Sequence, residues 1–397
     1  MQKILVLISF NQKSIKIKMK RFSTILGIFV LLCVAACKKK DTPRPALQIP
    51  ESYDGTNYAT NATTQRNLLN QLSALTAEAQ RGRNVANIVT KSALDNLFNA
   101  GNPSLANVVT SYFKGRLEGT GGWFDELAKA SGNTYTPAPP TPGQQGGVFG
   151  GYLFDENGLE IEQLIEKGQF GATLYKHATD LIAAGNFTEA TADQLLAIFG
   201  ATPAFPNSGS NKVDAQIRDR AMANYAARRS DINDPNSLYL QIKNQFIKLQ
   251  AAIKAGAAYN KERDEAIAEI KLLWEKINAA TAINYCHSVI STLSQTNPTD
   301  AQKGSALHAL GEAIGFIHGF RTIPQNHKKI TDAQIDELLV LFNAPYNATP
   351  TCYTFVTDAA NQLPKLQQAI SKLKNIYGFS DAEIESFKIN WVNQQQR

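Results

Sequence analysis

Soft metal ligands and cross-linking residues are scarce in this 397-residue chain, which has four cysteines and five histidines. No CxxC pair occurs, so a zinc ribbon, a thioredoxin-type redox pair and c-type haem attachment all lack their signature. There is no HExxH, whose two histidines on one helical turn would hold a catalytic zinc. The GxSxG nucleophile elbow is missing, as are the GxxxxGK[ST] and GxGxxG phosphate loops. Cys286 and His287 are neighbours that point apart on a helix, which removes a papain-like pair. No run alternates apolar and polar residues, with β-branched enrichment, long enough for a sheet. With so few histidines, a hard cation or a weak site is easier to accommodate than a transition-metal store.

Residues 1–36 hold six Lys or Arg and no acid, and they end in the apolar run FSTILGIFVLLCVAA before Cys37. This pattern reads as a secretory signal peptide, too short for a stable membrane span. Met19 fits as a start, since the stretch from there to Cys37 is a whole signal by itself. Val34-Ala35-Ala36-Cys37 resembles the bacterial lipobox, which implies cleavage before Cys37, acylation of that cysteine and attachment to the outer membrane of a Gram-negative bacterium. Each buried acyl methylene contributes about 0.8 kcal/mol, so such an anchor holds firmly. Removing the signal takes the formal charge from +6 to zero, which argues against a nucleic-acid partner. Lys38, Lys39 and Lys40 then belong to a membrane-proximal tether. Cys33 leaves with the signal, and Cys286 and Cys352 form either one disulfide or two buried thiols.

The rest reads as an all-α chain of one large or two packed helical bundles, preceded by a flexible tether over 37–62. Apolar periodicity predicts helices near 63–80 (Leu68, Leu69, Leu72, Leu75), 89–99, 104–116, 156–185, 188–200, 212–230, 236–256, 259–294, 299–319, 331–342, 358–376 and 381–394. The helix over 259–294 reads as central, with Ile267, Ile270, Trp274, Ile277, Thr281, Asn284 and Ser288 on one stripe and Lys271–Glu275 as a supporting pair. Between two helical parts lies the Pro/Gly stretch 133–151, a long crossing or a flap.

The candidate site sits in GSALHALGEAIGFI. His308 and Glu312 are four apart and share a helix face, so a ring nitrogen and a carboxylate oxygen can meet on one cation or donor. Gly304, Gly311 and Gly315 thin that helix for a ligand, a water cluster or another helix. The bland alternative is a core histidine held by one carboxylate. Weaker metal partners come from the helix 156–185, which presents Glu162, Glu166 and His177, with Glu160 on a neighbouring stripe. Gly168 and Gly171 there cost about 1 kcal/mol each against alanine, which calls for a close neighbour.

Three stretches, ESYDGTNYATNATTQRNLLNQL, NGLEIEQLIEKGQFGATL and GSALHALGEAIGFI, together resemble a family of bacterial lipoproteins catalogued as domain of unknown function 4856, from about Glu51 to the end. More distantly the chain is similar to imelysin-like proteins, exported helical proteins of paired bundles associated with iron uptake, some described as peptidases. That likeness implies a divalent metal at His308 and Glu312. In that family the Glu follows a glycine-preceded His by three residues, whereas here it follows by four and Gly304 stands four ahead. Two functions result: a non-enzymatic, lipid-anchored binding protein with a metal or metal complex, or a structural or protein-interaction lipoprotein without one. A metallopeptidase is a distant third. Carboxylates converging on His308 favour the first reading, and an apolar shell with one acceptor favours the second.

Overall fold

The computed structural model describes residues 44–397; the expected signal peptide, Cys37 and the first part of the expected tether lie outside the described residues. The chain from 47 onward is one unit. It is all-α apart from one two-stranded hairpin. No helix among the described residues is long and apolar enough to cross a membrane.

The N-terminal helices are α1 (Thr63–Arg81), α2 (Lys91–Asn99), α3 (Ser111–Glu118) and α4 (Trp123–Ala130). The predicted leucine stripe of α1 is buried throughout. The Pro/Gly stretch ends in the hairpin of β1 (Gly147–Phe149) and β2 (Tyr152–Phe154), antiparallel with Val148 opposite Leu153. Its two-residue turn is Gly150-Gly151, both in the left-handed region, the backbone that such a tight turn requires. Three-residue strands are too short to show an alternation in sequence.

Next comes one continuous helical stretch of three parts: α5 (Ile161–Gln169), a π-helical segment (Phe170–Tyr175) and α6 (Lys176–Ala183). The wider turn re-phases the helix, so the faces before and after it do not line up as a 3.6-residue period predicts. Then follow α7 (Glu189–Phe199), α8 (Ala221–Arg228), α9 (Leu238–Ala255), α10 (Asn260–Leu293), α11 (Asp300–His318), α12 (Asp332–Leu341), α13 (Ala359–Tyr377) and α14 (Asp381–Ser386). The helix predicted over 212–230 is confined to α8. Upstream, Asp214 and Asp219 bind the backbone N–H groups of Gln216 and Ser208, local bonds that compete with a helical ladder.

The 34-residue α10 packs between α9 and α11, and α11 packs on α5. From Ile277 to Ile283 every residue of α10 is buried, so the helix is enclosed on all sides there. Trp274 lies edge-on between the rings of Tyr175 and Phe199. Beyond Thr281 the stripe differs from the expectation: Cys286 and Val289 face in, while Ser288 is exposed. The Lys271–Glu275 pair does not form. Glu275 is buried and accepts the N–H groups of Lys329 (2.7 Å) and Ile330 (3.2 Å) and the Tyr377 hydroxyl (3.0 Å), tying two later segments to the central helix. Cys286 and Cys352 are both free buried thiols, which settles the cysteine alternatives in favour of no cross-link.

Of the glycines that thin α11, Gly304 and Gly315 meet backbone and Gly311 meets the side chains of Glu160 and Gln163. A Cβ on Gly315 would lie 2.5 Å from the Gln163 carbonyl oxygen, and one on Gly319 would lie 2.2 Å from that of Gly168. Gly171 faces the Gly319 backbone in turn, at 2.5 Å. The close neighbour expected at Gly168 and Gly171 is therefore the end of α11, together with the Phe113 ring.

Candidate functional site

Four segments converge on His308: the exit of α1, the hairpin, the start of α5 and α11 itself. The His308 Nδ1 lies 2.6 Å from Glu160 Oε2, and its Nε2 lies 3.5 Å from Glu312 Oε2. Tyr152 stacks on the imidazole at 4.3 Å between ring centroids and 16° between planes. The Arg83 guanidinium lies over the other ring of that stack, Tyr152, at 4.9 Å. It also reaches Glu160 Oε1 at 3.1 Å and Glu162 Oε2 at 2.5 Å. Glu162 Oε1 accepts from the amides of Gln80 (3.2 Å) and Gln163 (3.0 Å). The Pro/Gly stretch thus ends in a cover over His308, delivered by β2.

Glu160 holds its position because it is the last extended residue before α5; its side chain caps nothing in its own helix and turns to His308 and Arg83. On the far side of Glu312, the buried Lys167 lies 2.6 Å from Glu166 and 3.5 Å from Glu312 Oε1, above the rings of Phe170 and Tyr225. The Tyr225 hydroxyl donates to Glu312 at 3.5 Å.

Burial dominates the electrostatics. Glu160 and Glu162 are both fully buried, and desolvation pushes each carboxyl up to about 8 against the opposing pull of Arg83. The same desolvation lowers the pKa of His308. Lys167 is held well above its ordinary value by Glu166, Tyr225 and Glu312, which together outweigh its burial. The centre is an ion network in which both signs are present and mutually bonded.

These residues gather differently from the expected ligand set. His308 and Glu312 are neighbours, but Glu160 and Glu312 occupy opposite edges of the imidazole, so the three do not share a point where one cation would sit. Glu162 turns to Arg83, Gln80 and Gln163, and Glu166 to Lys167. His177 lies beyond the π segment and pairs with Gln65 at 3.1 Å. Among the described residues, no group of three or more His, Cys, Asp or Glu is disposed to hold a metal ion. The residues present therefore do not fit a metal as they stand. His318 is fully enclosed by Tyr112, Phe113 and Trp123, with its Nε2 2.7 Å from the Tyr112 hydroxyl.

Arg83, Tyr152 and Lys167 escaped the sequence reading. Arg83 follows α1 in an irregular stretch, Tyr152 belongs to a strand too short to see, and Lys167 is a buried cation that no apolar period marks. Glu160 is expected from sequence on a neighbouring stripe of the helix over 156–185, whereas it stands just ahead of α5.

Residues 205–347 match the model of the family described as Domain of unknown function (DUF4856). Nothing matches among the curated proteins or among the solved structures. The match is narrower than the resemblance implied. Of the three quoted stretches it includes GSALHALGEAIGFI, hence His308 and Glu312, whereas Arg83, Tyr152 and Glu160 lie ahead of it. Over residues 205–347, the chain is similar to the family of domain of unknown function 4856.

Proposed function

We propose that the chain is an exported helical protein, lipid-anchored through Cys37 to the outer membrane, which binds a partner without catalysis and uses the His308 centre as a structural lock. The observation that carries the lock is that the two carboxylates at His308 sit on opposite ring nitrogens instead of converging on one point, with Arg83 and Lys167 as their cationic partners and Tyr152 over the ring. A metal ligand needs a lone pair aimed at a point shared with other ligands. Here Arg83 and Lys167 occupy the cationic role instead. The lock joins the exit of α1, the hairpin, α5 and α11. The signal, the lipobox-like VAAC and the zero formal charge of the chain after the signal support export and anchoring.

The test is elemental mass spectrometry of the full chain, purified in detergent without chelators and again after loading with Fe²⁺, Zn²⁺ or Ca²⁺, alongside His308→Ala. The expected result is no stoichiometric metal under any loading. Denaturant unfolding of the variant should show a loss of about 3 kcal/mol, because Glu160 is left buried beside an emptied position. Stoichiometric metal that disappears in His308→Ala would overturn the lock and restore an imelysin-type metal site.

A further inference from the structure

A cleft of about 380 Å³ opens where α1, the start of the π segment and the entry to α8 meet. That volume lies within the range of small-ligand sites. Its walls carry two arginines bonded to neutral groups. Arg218 donates to the Asn211 side-chain oxygen at 2.7 Å and to the Val213 carbonyl at 3.0 Å. Arg220 donates to Asn70 Oδ1 at 2.9 Å and to Ser73 Oγ at 3.1 Å. A partly buried guanidinium ordinarily finds a carboxylate; neither of these does among the described residues. Burial, and then the nearby charge of Arg66, lower the pKa of Arg220, so a third arginine adds to the same field.

Two more groups point to a missing occupant. Thr76 lines the cleft at 8% exposure, and its hydroxyl has no hydrogen-bond partner; the Arg218 Nε is buried and equally without one. Ala221, the first residue of the eight-residue α8, also lines the cleft, and that helix has neither a side-chain cap nor an acid in its first turn. Its first N–H groups are thus free to receive an anion.

The cationic wall is fixed in place. Gly200 ends α7 in the left-handed region with its open side against the Arg220 carbonyl, and its own carbonyl accepts the Arg220 N–H at 2.8 Å. Asp219 is held by the Tyr239 hydroxyl and the Ser208 N–H, both at 2.8 Å. The other acid on the wall, Glu166, is bonded to Lys167. Neither carboxylate answers the arginines.

We propose that this cleft binds a small oxyanion, a phosphoryl group present as the free ion or as an ester, with Arg218 and Arg220 as its ligands and the N-terminus of α8 completing the site. Guanidinium forks match phosphate oxygens in pairs, and a dianion answers the two arginines, Arg66 and the helix terminus better than a single carboxylate does. The cleft borders the His308 centre through Gln80 and Glu166, but neither arginine bonds to that network, so the proposal survives whether or not the lock is correct.

The experiment is isothermal titration calorimetry of the full chain in detergent at low ionic strength, with inorganic phosphate and with phenyl phosphate. The parent should bind at one site, more weakly as salt is added. Arg218→Gln and Arg220→Gln should each weaken binding about tenfold or more, the loss expected of one charge-assisted contact. Lys372→Gln, which removes an ion pair to Glu337 outside the cleft, should bind as the parent does. Arg66→Gln, at a partly exposed position, gives an independent reading if Arg220→Gln fails to fold, as judged by circular dichroism. Equal affinity for both probes identifies a free-ion site, and tighter binding of phenyl phosphate identifies an ester-bearing ligand. No binding of either probe to the parent, or unchanged binding in the folded arginine variants, overturns the proposal.

Discussion

Glu160 and Glu162 share a single guanidinium, and that ratio gives the protein a pH response. Each carboxyl is pushed up to about 8 by burial, against about 4.3 in an unfolded chain. The folded state therefore holds more protons than the unfolded one between those values. Their stabilising contribution is complete below about pH 4.3 and is lost as pH rises through 8. His308, with its lowered pKa, acts oppositely but only below its ordinary value of 6.5, so the interval above that belongs to the acids. Asp155 and Asp219, both pushed up to about 7, add in the same direction, so the comparison must be with a variant. Urea unfolding at pH 6.5 and 8.5 should show a drop in stability for the parent and a smaller drop for Glu162→Gln. Equal drops would place the titration elsewhere. At this scale the sequence disclosed the His308–Glu312 contact, because four residues along a helix fix a neighbour. It did not disclose Glu160 as the closer partner or Glu275 as an anchor, because both depend on residues more than fifty positions away.

The hairpin meets α11 backbone to backbone at a pair of glycines. Gly150 faces Gly304 of α11, where an added Cβ on Gly304 would lie 2.8 Å from the Gly150 backbone. Gly304→Val should therefore lift the hairpin, withdraw Tyr152 and expose His308. Carbethoxylation followed by peptide mass spectrometry should find His308 modified faster in the variant, with His177 and His287 as internal references. An unchanged His308 rate would mean that Tyr152 is not its cover. Helices with a clean apolar stripe, such as α1, were legible because burial follows the 3.6-residue period. The hairpin and α4 were not, since the turn is all glycine and α4 spans only eight residues beside a Gly-rich run. The entry to α8 was missed because its aspartates favour local turns over a ladder.

For the molecule as a whole, the decisive question is what holds it at a surface. No helix among the described residues is long and apolar enough to cross a membrane, and the attachment proposed above is through Cys37. Expressed in a Gram-negative host, the parent should sediment with outer membranes and Cys37→Ser should be found in soluble fractions; a variant that still sediments would show that the acyl anchor is not what retains it. The all-α class was readable at this scale because alternating strand patterns are absent. The wide turn between α5 and α6 has a consequence for any comparison of whole chains. It acts as one extra residue inserted into an otherwise regular helix, so a relative lacking it aligns to this chain only across a gap within 170–175. An ungapped alignment would rotate every later position of that helix by about 100°.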